Sequence, residues 1–338
     1  MAAPAPRTVC VYVGLDLVGD GLMKLPFLRA LRAAWPAARV TWLAGKGPSV
    51  FAHALAPLAH GLIDEVIEDA GIGSRWSELL GRPLAGRRFD LVIDTQRRVL
   101  TTLILKRLDH DVFVSGAAGF LLSDNRPRAR YAKPKSMVRQ MLDLIEAVTG
   151  EPARPGVPLH LDTASTDAAA RLLPEGPAYV GLAPGAGGRH KCWPLDRFVE
   201  LARRIAAGGR VPVFILGPGE AEWIEPCRAA PGARLVLQDA AAQGIAVTPM
   251  LTIALARRLA VAIANDSGAG HMLAAGDAKL VSLFGPTAPE KFAPVTRRLT
   301  VLRAQDFGSG GMEAIPVEAV ERATNEILRP QSLDASKL

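Results

Sequence analysis

The sequence predicts an α/β architecture of two doubly wound domains, each a parallel sheet with helices on both faces. Three observations carry this expectation. Short β-rich apolar runs alternate with helical-period segments from Val9 onward. The alternation is interrupted by a proline- and glycine-rich stretch, Glu151 to Pro158, and restarts at Tyr179. The length of 338 residues holds two domains at roughly 150 residues each.

Taken in order, Val9–Val13 is the first strand. Pro26 to Ala34 is a helix, with Phe27, Ala30, Leu31 and Ala34 on one face. Val40–Leu43 is a strand, Ser49–Leu55 a helical stretch, and Leu91–Ile93, after Phe89-Asp90, a third strand. Pro152, Pro155, Gly156 and Pro158 then remove backbone donors and restrict φ, as a linker does. This puts the domains at 1–160 and 161–330; a second breaker cluster, Pro174-Glu175-Gly176-Pro177, is the alternative boundary. In the second half Tyr179–Leu182, Val211–Leu216, Val261–Ala264 and Lys279–Phe284 are strands. Pro194–Ile205, Leu251–Leu259 and Val317–Leu328 are helices. Met1–Arg7 and residues 331–338 are expected to be loose ends.

Composition narrows the function classes. The chain is 49% hydrophobic and 22% charged, which suits a soluble globular protein. Cys10, Cys192 and Cys227 form no C-x-x-C pair, which speaks against a disulfide framework or structural zinc and for a reducing compartment. No apolar run reaches the ~20 residues of a membrane span, and Asp16 interrupts any signal-like start. A cytoplasmic location is expected. Residues 1–160 hold 21 Lys/Arg against 15 Asp/Glu, whereas the remainder hold 19 against 18. The basic half is either a solubilising surface or the meeting place for an anionic headgroup or glycolipid. With 5% aromatic residues and no recognised motif, nucleic acid is not the expected partner.

In open parallel sheets ligands bind beyond the C-terminal strand ends, so the strand-to-helix loops carry the candidate chemistry. The first holds Gly19-Asp20-Gly21. Asp20 can take a proton from an attacking hydroxyl or cap the next helix, and the loop alone favours the cap. The second, Ala183 to Pro194, combines Gly185, Gly187 and Gly188 with Arg189 and Lys191 at a helix start. Exposed N–H groups, a helix N-terminus and two cations favour a diphosphate over a solvated turn. The third, Asn265 to His271, offers Asp266 to sugar hydroxyls and Ser267-Gly268 to phosphate. Asp266 and Ser267 serve equally as caps, and a lone His271 is more often structural. In the fourth, Thr287 within Phe284-Gly285-Pro286-Thr287 is a phosphate donor or part of a plain tight turn. In the fifth, Glu220 or Glu222 is a ribose-binding acid or a first-turn helix acid.

The ordered set of motifs resembles glycosyltransferase family nine, the ADP-heptose:lipopolysaccharide heptosyltransferases. The matching segments are Gly19-Asp20-x-Leu22-x-x-x-Pro26, Phe89-Asp90-Leu91-Val92-Ile93-Asp94, Lys191-x-Trp193-Pro194-x-x-x-Phe198, Asp266-Ser267-Gly268-x-x-His271-x-x-Ala274-Ala275 and Phe284-Gly285-Pro286-Thr287-x-Pro289. The resemblance implies a GT-B fold: two Rossmann-like domains facing a cleft, acceptor on the first and nucleotide sugar on the second, with a last helix that often crosses back to the first. It implies an inverting, metal-independent transferase with no cofactor. Asp20 matches the general base and Lys191 the lysine on the donor phosphates. Asp266, Ser267, Gly268 and His271 match the donor loop, and Glu220, ahead of Glu222, the ribose acid. Gly187, Gly188, Arg189 and Thr287 complete the donor side; Gly19, Gly21 and Lys24 the acceptor side. The implied donor is ADP-heptose and the implied acceptor a lipopolysaccharide core or related anionic glycan, at the cytoplasmic face of the inner membrane with peripheral contact. Two departures stand out. Ala186, Gly187 and Gly188 occupy a stretch that often carries hydroxyl residues, and Met23-Lys24 replaces a histidine after Gly-Asp. The competing readings are a nucleotide-sugar epimerase on the same architecture, a non-catalytic nucleotide or glycan binder, and a dehydrogenase. The last lacks the strict three-glycine fingerprint.

Overall fold

A computed structural model of the chain describes residues 5–15, 18–127, 131–154 and 159–329. Asp16, the linker residues Pro155, Gly156 and Pro158, and the 331–338 tail lie outside the described residues. The chain divides into two compact units, 1–161 and 162–338.

In the first unit, β1 (Thr8–Val13), β2 (Arg39–Ala44), β3 (Glu65–Ile67), β4 (Arg88–Asp94) and β5 (Asp109–Ser115) form one parallel sheet in the order β3-β2-β1-β4-β5. Val9, Val11 and Val13 alternate with Cys10 and Tyr12 along β1, and all five are buried. A strand buried on both faces needs apolar residues throughout, which is why this run lacks a polar alternation. Asp90 ties β4 to β1: its carboxylate accepts the N–H of Arg7 at 2.6 Å and of Thr8 at 3.0 Å. The helices are α1 (Val18–Ala34), α2 (Ala56–Ala59), α3 (Val99–Leu105) and α4 (Met137–Thr149), and α1 packs against α4. Ser136 caps α4, and Gly150 ends it at φ 72°, a left-handed conformation that glycine adopts without Cβ strain.

Two elements differ from the sequence expectation. Helix α1 begins at Val18, not Pro26, so Pro26 lies inside it and Asp20 in its first turn. The stretch 49–55 is a short 3-10 turn, Val50–Ala52, followed by the single-turn α2.

The second unit repeats the plan. Strands β6 (Tyr179–Ala183), β7 (Val211–Phe214), β8 (Arg234–Leu235), β9 (Val261–Asn265), β10 (Leu280–Phe284) and β11 (Leu299–Arg303) are parallel, in the order β11-β10-β9-β6-β7-β8. Helices α5 (Thr163–Leu172), α6 (Leu195–Ala207), α7 (Ile224–Arg228), α8 (Val236–Ala242), α9 (Pro249–Ala256), α10 (Gly268–Ala275), α11 (Pro289–Phe292) and α12 (Val317–Leu328) surround it. Helix α6 buries Phe198, Leu201, Ala202 and Ile205, one stripe at the 3.6 period. Each large apolar side chain buried in this way contributes about 1.5–3 kcal/mol. Helix α12 packs on α6, β9 and β10, with Val317, Val320, Ala323 and Ile327 in the second unit's own core. Its apolar stripe is thus used within the core of its own unit. No described helix is long and apolar enough to cross a membrane.

Candidate functional site

Strand order reverses between β6 and β9. The chain leaves β6 toward β7 and β8, and leaves β9 toward β10 and β11. The loops after these two strands therefore diverge and leave a crevice between them. Asn265, the last residue of β9, is fully buried and holds the crevice in shape. Its side-chain N–H donates to the Pro184 carbonyl at 2.7 Å, and its side-chain oxygen accepts the Trp193 N–H at 3.1 Å. Trp193 is itself buried, and its indole N–H donates to the Ile315 carbonyl at 2.9 Å.

Beside this staple lies a cavity of about 210 Å³. Glu220 lines it together with Gly185, Gly217, Ser267 and Gly268, and Ile215, Leu237 and Met272 supply apolar wall. Close approach explains two of the glycines. A Cβ on Gly185 would sit 2.4 Å from the Glu220 carboxylate, and one on Gly217 2.9 Å from it. Of the two candidate ribose acids, Glu220 faces the cavity. Glu222 is exposed and pairs with Arg189, whose guanidinium also lies over the Trp223 ring, 4.2 Å from its centroid. Arg189 thus rests at the surface on the turn after β7.

Next to the cavity is a polar corner. Asp266 accepts from Thr287 Oγ1 at 2.7 Å and lies 3.4 Å from Lys191 Nζ, so one carboxylate oxygen gathers both donors. Ser267 caps α10 by accepting the Gly270 N–H at 3.3 Å. The N–H groups of Gly268 and Ala269 are left without intrahelical partners, as in any first turn, and the helix dipole adds positive potential there. The corner can therefore receive an anion beside the cavity. Lys191 closes a 3-10 turn, Arg189–Lys191, that leads into α6; Pro194 is the residue before α6, not its first. No side chain crowds the Cβ position of Gly187, whereas at Gly188 a Cβ would meet the His190 ring at 2.8 Å. His271 falls one turn into α10, where its N–H donates to the Ser267 carbonyl, and it does not line the cavity.

The first sheet has its own reversal, between β1 and β4, and Asp20 stands in the turn that follows β1. It is partly exposed and makes no side-chain hydrogen bond or ion pair with another described residue. Being the third residue of α1, it is not the cap. Gly19 is open, but a Cβ on Gly21 would strike Val50 at 2.6 Å and Leu55 at 2.9 Å. Gly21 is a packing position. Lys24 is 8% exposed, with Nζ 5.9 Å from the Trp42 ring centroid. Both are buried within the first unit. Among the described residues no group of three or more His, Cys, Asp or Glu side chains could hold a metal ion.

Asn265 as a staple and the wall residues Ile215, Leu237 and Met272 join the site only through the fold. Asn265 carried a weak signal: a polar residue ending an apolar strand run. Leu237 carried none, because α8 follows a two-residue strand with no turn motif.

Two doubly wound parallel-sheet units in one chain define the architecture of the GT-B glycosyltransferases. Residues 78–310 match the family model described as glycosyltransferase family 9 (heptosyltransferase), and the chain belongs to that family. It is 26% identical over 319 residues to lipopolysaccharide heptosyltransferase 2 of Salmonella typhimurium, covering 87% of each chain. Lipooligosaccharide heptosyltransferase 2 of Haemophilus influenzae is 24% identical over 318 residues, covering 87% of this chain and 88% of the relative. Among solved structures, a family 9 glycosyltransferase from Veillonella parvula superposes with a TM-score of 0.73 at 19% identity, over 97% of this chain and 99% of the other. An Escherichia coli heptosyltransferase solved with ADP gives 0.64 at 20% identity, over 95% and 99%.

Proposed function

We propose that this glycosyltransferase moves a heptose from ADP-heptose to a lipopolysaccharide-core or related anionic glycan, with inversion, at the cytoplasmic face of the inner membrane. The observation that carries the donor half is the juxtaposition in the second unit. A mostly apolar cavity with Glu220 at its edge adjoins a corner made of Lys191, Thr287, Asp266 and the α10 N-terminus. The first suits a nucleoside, with Glu220 on its ribose; the second suits a diphosphate. The relatives named as heptosyltransferases and the neighbour solved with ADP support adenine and heptose.

In this reading Asp20 draws the proton from the acceptor hydroxyl as that oxygen attacks the anomeric carbon. The bond from that carbon to the diphosphate breaks, and the leaving ADP gains charge. Lys191 and the first-turn N–H groups of α10 stabilise that charge where it develops. Asp266 positions Lys191 for it, and is itself held by the hydroxyl of Thr287, which donates to it.

Calorimetric titration of ADP, UDP, GDP and NAD, with chelator present, tests the donor site. Selective ADP binding is expected; a preference for UDP or GDP would discard the heptose donor, and NAD alone would discard the transferase site. Asp20→Asn is expected to lower turnover by about 10²–10⁴-fold with ADP binding unchanged. Unaltered turnover would remove Asp20 from catalysis. An epimerase would consume donor without acceptor, so acceptor-dependent ADP release separates it from a transferase.

A further inference from the structure

Large apolar side chains on the first unit gather where two elements meet. Trp76 is 72% exposed and Leu80 89%, both on the 3-10 turn Trp76–Leu80. Val99 and Leu103 are exposed on α3, and the turn and helix are in contact. The local fold explains the outward face. Leu79 packs on the core beneath. Glu78 turns inward, its carboxylate accepting the N–H groups of Gly73, Ser74 and Arg75. Trp76 and Leu80, four residues apart, are left facing outward. In α3 the buried Ile104 and Leu105 leave Val99 and Leu103 outward in the same way. Arg107 Nε donates to the Gly81 carbonyl at 2.8 Å, tying the segment after α3 to the end of the turn.

The cations of this segment divide in two: Arg87, Arg88 and Lys106 pair with acids on neighbouring segments, whereas arginines beside the turn and α3 do not, among the described residues. Residues 71–107 contain eight Lys/Arg and three Asp/Glu. All three acids are spent internally: Glu78 on its turn, Asp90 on the backbone of Arg7 and Thr8, and Asp94 in the core. Arg75, Arg82, Arg98 and Arg107 are exposed, and none forms an ion pair with another described residue.

We propose that this face docks on an anionic bilayer surface. A tryptophan with aliphatic neighbours suits the boundary between headgroups and acyl chains, and a cationic rim suits lipid phosphates. Trp76 and Leu80 enter that boundary while the four arginines meet headgroups. Arg98 and Val99 follow β4, at the end of the first sheet where the first turn of α1, with Asp20, also lies. Docking therefore lays the 76–80 turn and α3, whose first residue is Val99, along the lipid. Only the corollary that a lipid-borne acceptor is delivered there rests on the transfer reading.

Flotation of the full chain tests the proposal, on vesicles of phosphatidylethanolamine with phosphatidylglycerol and on vesicles of phosphatidylcholine alone. The chain is expected to float with the anionic vesicles and to be released by salt. Trp76→Ala with Leu80→Ser is expected to lower partition by about tenfold or more. Arg75→Gln with Arg82→Gln is expected to lower it about fivefold per arginine. Melting temperatures of both variants, unchanged, show that the fold is intact. Three results overturn the proposal: no flotation on anionic vesicles, equal flotation on phosphatidylcholine, or a Trp76/Leu80 variant that floats like its parent. A dimer in sedimentation that this variant dissolves would also overturn it, assigning the face to a second copy. Flotation without ADP binding would leave the docking standing and defeat the transfer reading alone.

Discussion

Asp94 ends β4 with its carboxylate fully buried. Thr102 Oγ1 donates to it at 2.6 Å, Ser115 Oγ at 2.8 Å and the Gln96 N–H at 2.8 Å. Burial raises its pKa above the ordinary 3.8, and the three donors oppose that rise without cancelling it. The folded state therefore binds the proton more tightly than the unfolded chain. Below 3.8 both states are protonated and the full contribution is present. As pH rises from 3.8 through the raised folded value, stability is lost at up to about 1.4 kcal/mol per pH unit. Asp94→Asn keeps the shape, and the two hydroxyls can reorient to meet an amide. The variant is expected to gain on the parent as pH rises across that window in denaturant unfolding. A constant difference between the two at every pH would mean that Asp94 titrates normally.

Elements place such residues, and the loop after β6 is the clearest case. Gly185 is needed because the Glu220 carboxylate, delivered by the turn after β7, occupies its Cβ position. The obstacle is the far end of a flexible side chain, so Gly185→Ala should displace Glu220 and leave the fold intact. ADP affinity is expected to fall about tenfold, with unfolding free energy within about 0.5 kcal/mol of the parent; a large loss of stability with retained affinity would contradict this. Elements also mark what the sequence could and could not reveal. β1, β6, β9 and β10 were legible because strands buried on both faces are short apolar runs. The start of α1 was not. Proline favours the first turn of a helix, and Pro26 instead sits mid-helix among buried Leu22, Leu25 and Phe27, where packing overrides its local preference. The glycine-rich loops after β6 and β9 were legible by composition. Asn265 and the Leu237 wall join the site only through tertiary pairing, which no local pattern encodes.

At the scale of the whole molecule, the cavity and its polar corner lie within one unit. Every residue lining the cavity, and every member of the Lys191–Asp266–Thr287 corner, comes from the second unit. That unit has its own six-stranded sheet and a core built from its own strands and from α6 and α12. It also has its own opening cap: Asp162 accepts the Ser165 N–H at 2.7 Å to start α5. A segment with a complete sheet, a closed core and a satisfied first helix meets the requirements for folding alone. Residues 162–329 produced by themselves are therefore expected to bind ADP within about threefold of the full chain's affinity, a difference of ~0.7 kcal/mol, and to transfer nothing, because Asp20 is absent. Unfolding of the segment by heat should remain cooperative. If the isolated segment folds cooperatively but binds ADP far more weakly, the donor site includes groups from the first unit. If it does not fold, the two units share stability that their separate cores do not account for.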